Sequence, residues 1–194
     1  DDPGNLRYVV PPAVTANSFA RTADAMFTNY IYGYVYDGRR RLVEKHVPGR
    51  GWEYMVYNRL DQLVLSQDAR GKQLSEWQMT KYDVHGRVII TGVYEDNSSR
   101  ENLQNSFNSC AVLWEGRSGA GDYTNTACPT SGVYKYLTVN YYDDYNFLSM
   151  GTTYPNTVTR SLRTRGLLTG TKVFRTDGSN PIWTLYYYDD EGRV

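Results

Sequence analysis

From Thr28 onward the chain alternates. Tyr30, Tyr32, Tyr34 and Tyr36 fall at every second position, with Ile31, Gly33 and Val35 between them. A period of two puts successive side chains on opposite faces of a β-strand, so the four tyrosines are expected on one face. Further apolar or alternating runs follow at Leu42 to Val47, Trp52 to Tyr57, Leu63 to Gln67, Trp77 to Tyr82, Val88 to Tyr94, Val133 to Tyr142, Thr171 to Arg175 and Ile182 to Tyr188. Breaker-rich segments such as Pro48-Gly49-Arg50-Gly51 and Asp68-Ala69-Arg70-Gly71-Lys72 separate them and read as turns. Strand, tight turn and returning strand predict a succession of β-hairpins. Ahead of them, residues 1–16 contain Pro3, Pro11 and Pro12 and read as extended. Asn17 to Phe27, with Asn17 or Ser18 as N-cap, predicts a short helix.

One turn recurs. In Lys81-Tyr82-Asp83-Val84-His85-Gly86-Arg87-Val88-Ile89 an aspartate opens and a glycine closes a four-residue type I turn. The carboxylate can accept hydrogen bonds from turn amides, and glycine adopts positive φ without steric cost. Copies begin at Tyr36-Asp37, Tyr57-Asn58, Tyr142-Asp143 and Tyr188-Asp189. The last repeats the full pattern through Gly192-Arg193. The others put Arg40, Asp61 or Asn146 at the glycine position, where Asp and Asn also tolerate left-handed geometry. Tyr36 to Tyr57 is 21 residues and Tyr57 to Tyr82 is 25; Tyr82 to Tyr142 is 60 and Tyr142 to Tyr188 is 46. A period in the low twenties is about one hairpin per unit, and such units bury their faces only by stacking on neighbours. The 60-residue gap is one unit plus an insertion. The 46-residue gap is two units, with Gly166-Leu167-Leu168 as a degenerate turn.

The insertion, 95–132, is rich in Ser, Asn, Gly and Thr and holds both cysteines, Cys110 and Cys128. Irregular segments of that length are usually functional or flexible.

Composition adds the rest. Nineteen tyrosines in 194 residues suit a pleated surface that is half buried and half wet. Lysines and arginines number 21 and so do the acidic residues, a formal charge of zero, so no overall field draws nucleic acid or anionic membrane. No apolar run approaches the roughly 18 residues of a membrane helix. Asp1-Asp2-Pro3-Gly4 reads as an interior cut rather than a signal sequence.

Candidate chemistry is sparse. His46 and His85 are too few for a histidine metal cluster and are expected to be solvated. His-Glu-x-x-His, Gly-x-Ser-x-Gly and Gly-Lys-Ser/Thr do not occur. Gly116-Arg117-Ser118-Gly119-Ala120-Gly121 lacks the lysine of a phosphate loop and reads as plain loop. Asp143-Asp144 and Asp189-Asp190-Glu191 offer oxygen ligands for a hard cation, but turns favour acidic residues for local reasons. Arg39-Arg40-Arg41 reads as an exposed tip. Tyrosine rows could stack on sugar rings; cross-strand tyrosine ladders also stabilise sheets by themselves. No catalytic, cofactor-binding or metal-ligating residue is assigned, and no enzymatic activity is expected.

Tyr82-Asp83-Val84-His85-Gly86-Arg87-Val88 and Tyr188-Asp189-Asp190-Glu191-Gly192-Arg193-Val194, with the three degraded copies, resemble the YD repeats of the Rhs (rearrangement hotspot) family, which includes the teneurins and bacterial wall-associated proteins. The resemblance covers roughly 28–94 and 133–194. Lys45-His46-Val47-Pro48-Gly49, Thr91-Gly92-Val93-Tyr94 and Gly166 to Lys172 look like segments of large secreted bacterial members. It implies a long sheet spiralling into a hollow shell that in family members encloses a C-terminal toxin or sits outside the cell. The family's self-cleaving segment and variable toxin do not appear in this sequence, which reads as a piece of wall. An exported location in turn suggests a Cys110–Cys128 disulfide.

The expectation is an all-β chain of consecutive antiparallel hairpins, side by side in a twisted, curved sheet. It divides into a lead-in at 1–27, three hairpins at 28–94, the insertion at 95–132 and further hairpins at 133–194, the last one truncated. The turn residues are Tyr36, Asp37, Tyr57, Tyr82, Asp83, Gly86, Arg87, Tyr142, Asp143, Tyr188, Asp189, Gly192 and Arg193. The expected role is a non-catalytic scaffold segment of a secreted or cell-surface protein, a candidate toxin carrier, without cofactor or nucleic-acid partner. Its partners would be the rest of the repeat array and an encapsulated domain. The rival is a module that binds a glycan or a cell-surface protein through exposed tyrosines or the insertion.

Overall fold

The computed structural model describes residues 4–15, 18–21, 24–119, 121–149 and 161–194. The chain is all-β. Ten strands lie in one sheet in chain order, β1 to β10, so each strand neighbours the next in sequence. Two compact units divide it, Asp1–Gln78 with Glu95–Ser109, and Met79–Tyr94 with Cys110–Val194.

The first unit holds β1 (Tyr8–Val9), α1 (Ala25–Tyr30), β2 (Tyr32–Tyr36), β3 (Leu42–Val47), β4 (Gly51–Tyr57), β5 (Leu63–Gln67), α2 (Ala69–Leu74) and the start of β6 (Glu76–Tyr82). The antiparallel pairs β2–β3, β3–β4 and β4–β5 fall where the alternation predicts them. Helix α1 starts later than expected. Asp24 caps it by accepting from the Met26 amide at 2.8 Å. Asn17 lies outside the described residues, and Ser18 lies well ahead of the helix. The helix puts Phe27 into the core at 1% exposure, and its C-cap Ile31 follows at 0%. Tyr30 therefore belongs to the helix, and only Tyr32, Tyr34 and Tyr36 share a strand. Rather than a turn, Ala69 to Leu74 forms α2. Its N-cap, Asp68, accepts from the Gly71 amide at 2.7 Å.

Sequence reading also left α3 (Arg100–Asn108) inside the insertion undivided. Ser99 caps it, and its Leu103 and Phe107 are buried. Gln104 bonds both backbone groups of Tyr57: Oε1 accepts from its N–H at 3.0 Å, and Nε2 donates to its carbonyl at 2.7 Å. That side chain satisfies a backbone site beside the register shift at Val56/Tyr57.

His46 is a correction. It is 2% exposed, stacked on Phe27 at 4.6 Å, with Nδ1 2.9 Å from the Ile31 carbonyl. It sits on β3 at a position paired with Trp52, so the strand's inward register carries it into an aromatic core. His85, by contrast, is exposed.

The second unit holds the rest of β6, then β7 (Val88–Glu95, its last residue assigned to the first unit), β8 (Val133–Tyr142), a 3-10 turn (Asn146–Ser149), β9 (Leu168–Val173) and β10 (Ile182–Leu185). Strand β8 pairs with β9, and β9 with β10, all antiparallel. Its core is aromatic: Tyr141 stacks on Phe147 at 4.4 Å and on Trp183 at 5.6 Å. Arg117 lies 5.0 Å from the Tyr141 ring.

Tyr142 to Leu148 is not a four-residue turn. Asp143 itself has φ 74°, Asn146 opens the 3-10 turn, and β9 begins only at Leu168. The Asp143 amide nevertheless donates to the Leu167 carbonyl at 3.0 Å, as the Asp83 amide donates to Arg87 at 3.0 Å. Leu167 therefore meets Asp143 where β8 and β9 come together.

Candidate functional site

The recurring feature is the turn. In the four complete copies the opening side chain, Asp37, Asn58, Asp83 or Asp189, accepts two backbone amides through one Oδ1 atom at 2.9–3.0 Å. Where the turn ends in arginine, the second carboxylate oxygen accepts from that arginine's Nε. These distances are 2.7 Å for Asp37–Arg41, 2.6 Å for Asp83–Arg87 and 2.7 Å for Asp189–Arg193. The residue before the turn's last is left-handed in each: Arg40 at φ 62°, Asp61 at 61°, Gly86 at 78° and Gly192 at 80°.

Arg41 and Arg87 also present an outer nitrogen and one face of the guanidinium to the next hairpin. In the first unit Arg41 Nη1 donates to Asp61 Oδ1 at 2.9 Å and to the Asn58 carbonyl at 3.2 Å. Its guanidinium lies 4.8 Å over the Tyr57 ring. The Tyr57 hydroxyl donates back to the Leu42 carbonyl at 2.8 Å.

In the second unit the pattern repeats. Arg87 donates from Nη1 and Nη2 to the two oxygens of Asp143 at 2.9 and 2.6 Å and lies 4.4 Å over Tyr142. The Tyr142 hydroxyl donates to the Val88 carbonyl at 3.2 Å. Tyr188 donates likewise to Leu168 at 2.8 Å, although Leu167 stands where the preceding arginine would be. In each case the tyrosine of one hairpin reaches the residue just after the previous turn.

The register explains how these tyrosines are aimed. Pairing shifts at Val35/Tyr36, Val56/Tyr57 and Tyr141/Tyr142. A bulge there re-aims the side chain that opens the turn. Tyr82 ends β6 half-buried, and its carbonyl accepts from the Glu115 amide at 2.9 Å.

Electrostatics follow the geometry. Hydrogen bonds from Arg87 hold the Asp143 carboxyl down to about 2, and the same contact raises Arg87. For Asp37, burial pushes upward, but the Arg41 amide and guanidinium outweigh it and leave the carboxyl below its usual value. The acidic clusters are engaged with protein groups. Asp144 pairs with Arg117 at 3.0 Å, Glu191 with Arg193 at 2.9 Å, and Asp190 accepts from Ser161 at 2.7 Å. Among the described residues no group of three or more His, Cys, Asp or Glu is placed to hold a metal ion. Of the arginine run, Arg39 and Arg40 are exposed, but Arg41 is part of the clasp.

Cys110 and Cys128 form a disulfide with a Cα separation of 6.2 Å, closing the irregular part of the insertion. The glycine-rich stretch is a small reversal, with Arg117 bridged to Tyr123 and the Gly121 amide donating to Ser118 at 3.0 Å.

Clefts occur beside the turns of both units. One of about 480 Å³ in the first unit is lined by opposed charges, including Arg50, Glu53, Asp68, Arg70 and Glu76. Another, of about 180 Å³, lies beside the Arg87 clasp and is bordered by His85, Glu115, Arg117 and Asp144.

Sequence reading missed Arg41, Asp61 and Gln104 as linking residues. It also missed Lys81 and Glu115, a buried pair at 2.8 Å. Lys81 carried a signal, since it follows Trp77 and Met79 at strand spacing, and all three are buried. The chain matches no protein-family model and no curated protein.

Proposed function

We propose that this chain is a non-catalytic repeat segment, the wall or scaffold of a larger secreted or cell-surface protein of the YD-repeat type. The observation that carries this reading is the direction of the clasp. Tyr57, Tyr142 and Tyr188 each engage the hairpin before them, and Arg41 and Arg87 each engage the hairpin after them. Such a head-to-tail contact extends a one-dimensional array instead of closing on itself. The disulfide supports an oxidising compartment.

A scaffold needs its clasps and no ligand. The test combines a glycan array on the purified protein with urea melts of Tyr57→Leu and Tyr142→Leu. The reading expects an empty array and lower midpoints for both variants. A glycan signal lost in Tyr32→Ala at unchanged stability favours the binding-module reading instead, since Tyr32 is an exposed strand tyrosine.

A further inference from the structure

Lys81 is an amine inside a protein core. Strand β6 buries alternate residues, and Lys81 occupies an inward position with its side chain 1% exposed. All three donors of its head group find acceptors: Glu115 Oε1 at 2.8 Å, Asn125 Oδ1 at 2.6 Å and the Ala127 carbonyl at 2.8 Å. Glu115, 0% exposed, is held as firmly. Its Oε1 also accepts from the Ala127 amide at 3.1 Å. Its Oε2 accepts from the Thr124 hydroxyl at 2.8 Å and from the Thr126 amide at 2.8 Å. The ligating loop is closed by the Cys110–Cys128 bridge, so the carboxamide is kept against the amine.

An amine in contact with both a carboxamide and a carboxylate supplies the components of an amide exchange. We propose that Lys81 and Asn125 form an intramolecular isopeptide bond, with Glu115 as the proton carrier. Lys81 Nζ attacks Asn125 Cγ, which lies one carbonyl bond, about 1.2 Å, from the Oδ1 atom that Nζ already contacts. The new bond is Nζ–Cγ, and the bond that breaks is Cγ–Nδ2. Nζ gives up two protons, Glu115 passes both to Nδ2, and the nitrogen departs as ammonium. Ammonium plus carboxamide thus become amide plus ammonium, and Glu115 ends as the carboxylate it began. No oxidant or external reactant enters.

The surroundings favour each step. Burial lowers the basicity of Lys81, against the opposing pull of Glu115, which raises the share of nucleophilic free amine. Holding the partners in contact replaces a bimolecular encounter by an intramolecular one. Asn125 is itself exposed at the surface, and its Nδ2 points to the Thr130 carbonyl at 3.4 Å, so the leaving ammonium has an exit. The product would tie β6 covalently to the insertion, a second closure beside the disulfide.

The test is intact mass of the reduced, denatured protein, followed by fragmentation of its tryptic peptides. The proposal expects a mass about 17 Da below that of the sequence, and a branched peptide joining Lys81 to Asn125. Asn125→Asp should lose water, about 18 Da, through the same bond, while Asn125→Ala and Glu115→Gln should keep their full masses. The sequence mass in the wild-type protein, unchanged after prolonged incubation, overturns the proposal even if Glu115→Gln fails to fold. So does a 17 Da loss that fragmentation places at another asparagine, which would be a succinimide.

Discussion

Arg87→Met removes the clasp of the second unit at its centre, and its cost can be built from the contacts. The Arg87–Asp143 pair is bidentate at 2.9 and 2.6 Å, but the side chains are 23% and 35% exposed. Solvent screening holds such a pair to about 1 kcal/mol. Stacking on Tyr142 at 4.4 Å adds about 0.5–1 kcal/mol. Asp83, only 8% exposed, loses its 2.6 Å donor and keeps its two amides, a further 1 kcal/mol or so. The expected penalty is therefore about 3 kcal/mol, which lowers the melting temperature by roughly 6–12 °C in a chain of this size. Arg87→Lys keeps the charge but loses the planar fork, and should cost about 2 kcal/mol. The assay is urea denaturation of Arg87→Met, Tyr142→Leu and the double variant. A coupling energy near 1 kcal/mol is expected, because the two side chains stack. Arg175→Met, which removes an exposed arginine bonded to Ser179, is the control and should shift stability by under about 0.5 kcal/mol. Coupling below about 0.3 kcal/mol, or Arg87→Lys as stable as wild type, would refute the clasp as the link between hairpins.

Gly86→Val should destabilise by well over about 1 kcal/mol, because φ 78° excludes a β-branched residue, whereas Gly86→Asn should be milder; equal melting points would contradict the turn geometry. A Cβ on Gly170 would meet the Phe147 ring at 2.5 Å in the aromatic stack, so Gly170→Ala should cost about 1–3 kcal/mol by overpacking, and an unchanged urea midpoint would rule out that close approach. Replacing Cys110 and Cys128 together by alanine should cost about 3 kcal/mol for a loop of 18 residues in the chain-entropy picture, and the wild type should take up no alkylating label without reductant. Asp143 has a folded pKa of about 2, below its usual 3.8, so its stabilisation is complete above about pH 4 and disappears as pH falls toward 2. Asp143→Asn should accordingly be less stable than wild type by about 1 kcal/mol near neutrality, after discounting for exposure, with the gap closing in acid; a gap constant from pH 7 to pH 2 would contradict the Arg87 assignment.

The strands were legible because each is an apolar or alternating run bounded by turn residues. Leu63–Gln67 and Val133–Tyr142 match the apolar runs to the residue. Helices were not, because each is short and begins at a cap that also serves a turn. Asp68 looks the same before a turn as before α2, and six residues carry too little periodicity to decide. Buried polar side chains were read from their chemistry, when position was what mattered. His46 and Lys81 stand at inward strand positions, and the register buries them whatever their polarity. Of the clasp, the tyrosine and aspartate were visible as a repeated word. Their partners Asp61 and Gln104 were not, since long-range pairing leaves no local pattern.

Residues 144–166 bear on what defines a repeat in this chain. Asp143 does not open a contiguous four-residue turn, and the nearest hydrogen-bonded one before β9 is Thr164–Leu167, where the Leu167 amide donates to the Thr164 carbonyl at 2.9 Å. Yet the Asp143 amide still meets the Leu167 carbonyl, and the Gly166 amide meets Asp143 Oδ1 at 2.6 Å. Tyr142 still reaches back to Val88, and Tyr188 to Leu168. Closing a loop more than four times longer adds only about 1–2 kcal/mol of entropy, within reach of the hydrogen bonds that Asp143 gathers. The turn's length is therefore free, while the positions of the tyrosine, the aspartate and the returning carbonyl are not. Insertions can enter at a turn tip without breaking the sheet, and a spacing rule applied to tyrosines alone will miscount hairpins wherever one has entered. Between Tyr142 and Tyr188 the described residues hold the β8–β9 and β9–β10 pairs and a turn at Gly166, while residues 150–160, on which the count of two units depends, lie outside the described residues.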